Sequence, residues 1–462
     1  MSLEDQEMLE LENSAPTYGV SDELVEHITH ALENDESQKV RDVIKPMHAA
    51  DVADLINNLS EDLREKFIYC IQSQFDPDVL AHLNDETKDQ VINWVGPGIM
   101  AIAITELDSD DVIHVLEDLD KHQQRAILRA IPAKNRAMLE EVLTFPEDSA
   151  GRLMQREIVC IPTFWTIQET IDFIRESQEL PETFYDVNVV DPKHHPIGIV
   201  SLDTLLRNDP TLPIADVMNK TVKSISVSME KEEVARIFQH YGLVSAPVIS
   251  PNGRIVGMIT VDDIVDIIQE EVEEDIMHLA GVSESDFHAP IVETAYNRAR
   301  WLFAALINTL IAAFVVAQFE DAISGKSALA FLMIIVTAMG GNAGMQTITV
   351  TIRALATKEL DSGKTKKSIL KEILVASLTG SLFACILGGI VAIWQHDLYL
   401  GIVLGVAIIC NMLWAGFAGT FLPIIVEKSG MDPAIGAGPL LTSTTDVMGY
   451  AIFLGLAVLF LM

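Results

Sequence analysis

Positive charge is scarce in this chain. Against 67 Asp and Glu stand 31 Lys and Arg, a formal net charge of −36 over 462 residues. The scarcity is uneven: residues 1–295 hold 58 acidic and 21 basic side chains, a net of −37, whereas residues 296–462 hold 9 and 10, a net of +1. So acidic a half excludes nucleic acid as a partner, because phosphate binding rests on Lys and Arg releasing counterions. The same field concentrates cations. Cysteine is equally sparse. Cys70, Cys160, Cys385 and Cys410 form no C-x-x-C pair and have no His at zinc-ligand intervals, so they read as ordinary reduced thiols. The opening Met-Ser-Leu-Glu-Asp-Gln-Glu lacks the basic and apolar regions of a cleavable signal. The acidic half is therefore expected in the cytosol. No nucleophile–base pair and no phosphate-binding loop appears, so an enzyme is not expected.

The basic-neutral half is where apolar residues accumulate. A membrane-crossing helix needs about 20 of them, and five stretches qualify: 301–319, 328–352, 373–394, 398–426 and 433–462. Arg353, Lys358, Lys364, Lys366, Lys367 and Lys371 crowd between the second and third, and Arg298 and Arg300 precede the first. The positive-inside rule puts both regions in the cytoplasm. The N-terminus is then cytoplasmic and the C-terminus outside, in a multi-pass protein of the cell membrane whose surroundings include the lipid bilayer.

Within the acidic half, residues 1–38 are polar without clear periodicity and read as a flexible tail or one loosely attached helix. From Val40 to about Leu143, apolar residues at i, i+3 and i+4 predict amphipathic helices in an all-helical domain, with breaks at Asp76-Pro77, Gly96-Pro97-Gly98 and Ile131-Pro132. Residues 151–275 carry an internal repeat at a separation of 59, in which Ile197 to Asp203 matches Val256 to Asp262. Each copy reads strand, helix, strand, strand, helix. The pattern resembles a tandem pair of CBS domains, a module that often binds adenine nucleotides such as ATP. In that module a Ser or Thr is followed three residues later by an Asp that holds ribose hydroxyls. Thr260 and Asp263 keep this pattern, with Tyr185 as a base-stacking candidate, while Ser201 and Thr204 lose the carboxylate. Plain fold packing is the competing reading of all three.

Eight acids then crowd into residues 262–275, while Ile264, Val265, Ile267, Ile268 and Val272 keep helical spacing. Like charges one turn apart destabilise a helix, and hard oxygen ligands suit Mg²⁺ or Ca²⁺. A metal site is set here against a solvated acidic face. In the last apolar stretch Asp446 is the lone carboxylate, and an intramembrane charge is a functional-site hypothesis by default. An imported cation is one partner for it; protonation and a hydrogen bond to a neighbouring helix is the other reading. Met339-Gly340-Gly341-Asn342-Ala343-Gly344 puts glycines and an amide inside the second stretch. Pro423, Pro433 and Pro439 are expected to break helices at the cytoplasmic end of the last two, where broken backbone is tolerated if it lines a water-filled cavity.

Gly340-Gly341-Asn342-Ala343-Gly344-Met345-Gln346, Arg353-Ala354-Leu355-Ala356-Thr357, and Asp432-Pro433-Ala434 through Thr445-Asp446-Val447 closely resemble the MgtE family of magnesium channels, as does the domain order from about residue 40 onward. The resemblance implies a multidomain fold, α and α/β. Residues 1–38 are then an acidic tail, 39–150 a helical N-domain, 151–275 tandem CBS domains, 276–300 a linking plug helix and 301–462 a five-helix membrane domain. It implies a homodimer selective for Mg²⁺ among divalent cations, with Asp446 of each subunit holding the hydrated ion. Asn342, Thr349 and Gly438 would line the path and Asp432 its cytoplasmic mouth. It also implies closure by Mg²⁺ bound at Glu232, Asp263, Asp266, Glu271, Glu274 and Asp275. Met345 and Gly242 depart from relatives that offer a side-chain ligand at those places. A Na⁺- or H⁺-coupled transporter and a non-conducting metal or nucleotide sensor are the alternatives.

Overall fold

The structure, a computed structural model, describes residues 19–96, 100, 107–117, 119, 121–177, 180–181, 183–280, 282, 291–358, 360, 365–429, 433–434 and 437–462, without the side chains of residues 73, 85, 86, 134, 275 and 293. The chain divides into two compact units at Gln269/Glu270.

The first unit begins with short amphipathic helices: α1 (Asp22–Glu33), α2 (Ser37–Ile44), α3 (Ala49–Asn58), α4 (Glu61–Ile71), α5 (Asp85–Val95), α6 (Ser109–Glu117), α7 (Lys121–Ala130) and α8 (Ala133–Val142). Capping explains where several start. The Ser21 hydroxyl accepts from Leu24 N–H at 3.3 Å, and the Asn84 side chain accepts from Thr87 N–H at 2.9 Å. The segment expected to be a tail or a loose helix holds α1, whose Ile28, Ala31 and Leu32 are buried in the core. Its apolar positions are too few for periodicity to declare them, but their burial anchors the helix.

Two three-stranded sheets follow with the same plan. In the first copy β1 (Cys160–Pro162), α9 (Ile167–Glu176), β2 (Asp186–Val190), β3 (Pro196–Ser201) and α10 (Leu202–Arg207) succeed one another; in the second, β4 (Ile225–Ser226), α11 (Lys231–Tyr241), β5 (Ser245–Ile249), β6 (Ile255–Thr260) and α12 (Val261–Ala280). Each sheet pairs its first two strands in parallel and its last two antiparallel. Even the irregularity repeats, at Val189/Val190 and again at Val248/Ile249. Ser245 Oγ donates to Asp186 Oδ2 at 2.7 Å, joining equivalent positions of the two copies. One apolar core runs from the helical domain into the second copy, taking in Val112, Leu116, Ile259, Ile264 and Ile267. That shared core brings α6 against the start of α12.

Among the described residues of the second unit, five helices are long and apolar enough to cross a membrane, and the chain is a membrane protein. They lie in α13 (Ile291–Ala317), α14 (Ala328–Ala356), α15 (Thr365–Trp394), α16 (Leu398–Lys428) and α17 (Ala437–Leu461). Two expected breaks are corrected. Pro423 lies inside α16, which runs on to Lys428, as membrane helices allow when packed neighbours support the freed backbone. Pro439 sits in the first turn of α17, where an absent N–H removes no helical bond.

Candidate cation-binding sites

Two groups of residues qualify, one in each unit. In the first, α6 and the first turns of α12 face each other with like charge. Ser109 opens α6, where its hydroxyl donates to Glu157 Oε2 at 2.7 Å and its N–H meets the same oxygen at 3.3 Å. That fixes the helix end that presents Asp110 and Asp111. Burial pushes Asp110 well above the usual carboxylate range, and the charges of Asp263, Asp111 and Asp108 push it further. Asp111 is pushed up to about 6 by burial and then by Asp108, Asp78, Asp262 and Asp266. Asp263 is pushed up to about 7 by burial and Asp262, against the lowering effect of a hydrogen bond of 3.0 Å from Thr260 Oγ1. Carboxylates held this way are short of positive charge. Among the described residues no three His, Cys, Asp or Glu side chains converge at direct-coordination geometry.

The expected sensor residues are brought together only in part. Asp263 and Asp266 belong to this cluster. Glu232 lies apart on the first turn of α11, 3.5 Å from Arg236. Glu274 is 3.6 Å from His278, one turn on. Glu271 is half-buried on the same helix, and the side chain of Asp275 lies outside the described residues. Gly242 ends α11 in the left-handed conformation, φ 60°, with its N–H on Phe238 O, so that position serves the turn. Asp78, Asp108, Asp110 and Asp111 were not singled out from sequence; Asp110-Asp111 follows Asp108 on what reads as one more acidic helix face. Tyr185 is half exposed, one residue before β2, and the Ser201 and Thr204 hydroxyls are 2.9 Å apart.

In the second unit α14 and α17 run antiparallel, and their contacts set two levels. A Cβ on Gly341 would stand 4.0 Å from Thr445 Oγ1, which places Asn342 near the level of Asp446. A Cβ on Gly438 would stand 3.3 Å from Met345 Cε and 2.6 Å from the carbonyl of Leu279, at the end of α12. Asn342, Met345, Gln346 and Thr349 recur at helical spacing on the exposed face of α14, while Gly340, Gly344, Thr347 and Thr351 are buried on the other. The Thr349 hydroxyl donates to Met345 O at 2.9 Å, leaving its oxygen able to accept. Among the described residues Asp446 has no hydrogen-bond or ion-pair partner. Asp432 lies outside the described residues. Sequence reading passed over Glu372, one residue before its third apolar stretch, which approaches buried Thr347 with Oε2 3.5 Å from the hydroxyl.

Comparison with known proteins gives these arrangements a family. Residues 333–456 match MgtE, described as a divalent cation transporter; residues 47–148 match the MgtE intracellular N domain; and residues 150–210 and 214–270 match the CBS domain. Magnesium transporter MgtE of Thermus thermophilus is 31% identical over 448 residues, 96% of this chain and 99% of the relative. The chain belongs to the MgtE family. Magnesium transporter MgtE of Bacillus subtilis is 29% identical over 95% of this chain and 98% of its own length. A crystal structure of the cytosolic domain of the Mg²⁺ channel MgtE in complex with ATP is similar at 28% identity and a TM-score of 0.50, covering 53% of this chain and 99% of that one. As an MgtE protein the chain has the helical N-domain, the CBS pair and the five-helix membrane part anticipated from its motifs.

Proposed function

We propose that this MgtE protein is a homodimeric, Mg²⁺-selective channel for magnesium uptake, closed when Mg²⁺ binds its cytosolic carboxylates. The observation that carries the reading is Asp446, a mid-helix carboxylate with no protein partner among the described residues, near the level of Asn342. A carboxylate in an apolar bundle calls for a compensating cation. The polar stripe Asn342, Gln346 and Thr349 lies exposed on one chain, and such a stripe cannot face lipid at membrane depth. A second copy closing over it makes a water-filled path on a two-fold axis. Mg²⁺ sheds water reluctantly, so the path holds the hydrated ion between Asp446, Asn342, Thr349 and the Gly438 backbone, with Asp432 at the mouth.

Closure follows from the same chemistry. The Leu279 carbonyl beside Gly438 puts the negative end of α12 at the lower level of the path. Mg²⁺ among Asp110, Asp111, Asp263 and Asp266 stabilises the arrangement that binds it better, and Glu232, Glu271, Glu274 and Asp275 add charge to be screened. The relative solved with ATP, and the Thr260–Asp263 hydrogen bond here, favour an adenine nucleotide at Tyr185, Thr260 and Asp263. The basic residues between α14 and α15 orient the N-terminus and that loop to the cytoplasm.

The test is Mg²⁺ flux into vesicles holding the purified protein, with internal Mg²⁺ varied. Flux that is lost as internal Mg²⁺ rises is expected; flux indifferent to it refutes the gating. Glu372, beside Thr347 within the bundle, favours one second reading, coupling to H⁺. Flux that follows an imposed pH gradient would establish it.

A further inference from the structure

Asn411 stands midway along α16 among apolar and small residues and is fully buried, so it cannot line a water-filled path. Its side chain nevertheless reaches two other helices. Nδ2 donates to the Val336 carbonyl of α14 at 2.9 Å, and the amide fills a notch made by two glycines. A Cβ on Gly340 would stand 2.1 Å from Nδ2, and one on Gly449 of α17 2.9 Å from it. Thr337 closes the notch, with its methyl 2.9 Å from the same Gly449 Cβ position. Three helices therefore meet on one amide, and only glycine lets the two outer ones approach it.

The notch is adjacent to the candidate ion ligands. Gly340 is two residues from Asn342, and Gly449 is three residues, nearly one turn, from Asp446. The amide thus fixes the depth and rotation of α14 against α17 where those ligands are presented. Stability alone does not account for it. Asn411 Oδ1 is buried and has no partner among the described residues, and a half-satisfied buried amide is worse for stability than an apolar side chain of the same size.

We infer that Asn411 is a positioning residue, which holds the Asn342 and Asp446 helices at the spacing a hydrated divalent cation requires. This rests on the ion-path reading of Asp446. Leu keeps the branched outline of Asn, with two bulkier methyl groups in place of the amide oxygen and nitrogen, and removes both the hydrogen bond and the orphaned oxygen, so Asn411→Leu is the informative variant.

The experiment uses full-length protein in vesicles and measures Mg²⁺ and Ca²⁺ flux through wild type, Asn411→Leu and Asp446→Asn. Folded dimer and thermal midpoint are measured alongside. Asn411→Leu is expected to remain a folded dimer, to lose Mg²⁺ flux at least about tenfold, within the roughly hundredfold that a misplacement of about 1 Å can cost, and to lose preference for Mg²⁺ over Ca²⁺. If that variant does not assemble, Gly449→Ala is measured instead. Its Cβ presses the same amide from the last span, and the same loss of preference is expected. A folded variant with wild-type flux and preference overturns the inference. So does a loss that only follows the amount of folded protein, since that is packing. Normal Mg²⁺ flux through Asp446→Asn overturns the ion-path reading instead, which keeps the two failures distinct.

Discussion

A carboxylate in the middle of a membrane helix costs at least about 2.5 kcal/mol on insertion scales, and among the described residues Asp446 has no cationic side chain to offset it. In the proposed dimer two such groups face one hydrated ion in surroundings where charge counts for more than in water. Asp446→Asn keeps size and hydrogen bonding and removes both charges. It is expected to cut Mg²⁺ flux at least about tenfold, corresponding to about 1.4 kcal/mol of lost ion stabilisation, while the dimer stays folded. Asp432→Asn should lose less, because a mouth nearer water is better screened. Flux normalised to folded dimer decides between them, and near-normal flux through Asp446→Asn would make that carboxylate structural. Asp446 was legible in the sequence because a lone acid among apolar residues stands out. Asp110 and Asp111 were not, because an acidic helix face looks the same whether solvated or pressed against another. Asn411 was hidden for a related reason: its partners lie 75 residues away at Val336 and, across the notch, on α17, and no glycine run beside it marks this amide as the one beside Asn342 does.

At the scale of elements, α12 is the informative one. It opens inside the second repeat with Asp262 and Asp263 and ends with the Leu279 carbonyl beside Gly438, a single helix of 20 residues. Acids spaced one turn apart along it oppose its own helicity, so the cations of the proposed sensor would strengthen the element as well as what it packs on. Neutralising Asp263, Asp266, Glu271, Glu274 and Asp275 together is therefore expected to relieve closure and leave transport intact, since in the proposed mechanism these residues act as ligands in the closed state alone. A variant still shut by the same internal Mg²⁺ as wild type would refute this. The helix was legible from its apolar spacing, and the repeat from matching strand sequences, down to register faults at equivalent positions. The prolines misled. Pro423 reads as a break in isolation, yet α16 passes through it because neighbouring helices pack around it. Pro439 reads as a stop but belongs to a helix start.

The whole molecule carries its charge where cations can reach it, with a net of −37 over residues 1–295. The raised carboxylates make that charge dependent on pH. Burial and neighbouring carboxylates push Asp111 up to about 6 and Asp263 up to about 7 in the folded protein, from 3.8. Between about pH 4 and 7 the folded form therefore holds more protons than the unfolded one, so stability falls as pH rises through that window. Each tenfold tightening of proton binding on folding contributes about 1.4 kcal/mol, and two largely buried groups give an effect on the order of a few kcal/mol. Above pH 7 both are ionised, and the repulsion between α6 and α12 is at its greatest. In the proposed mechanism a divalent cation would then do what protons did at lower pH, stabilising the folded form in proportion to how much better it binds there. The full-length protein without Mg²⁺ is accordingly expected to show a higher thermal midpoint for its cytosolic unit, and a smaller scattering radius, at pH 5.5 than at pH 8. About 20 mM Mg²⁺, a concentration suited to weak carboxylate sites, should close most of that gap at pH 8 and change little at pH 5.5. Equal Mg²⁺ responses at the two pH values would separate cation binding from these carboxylates, and a midpoint that rises with pH in the absence of Mg²⁺ would contradict the repulsion itself.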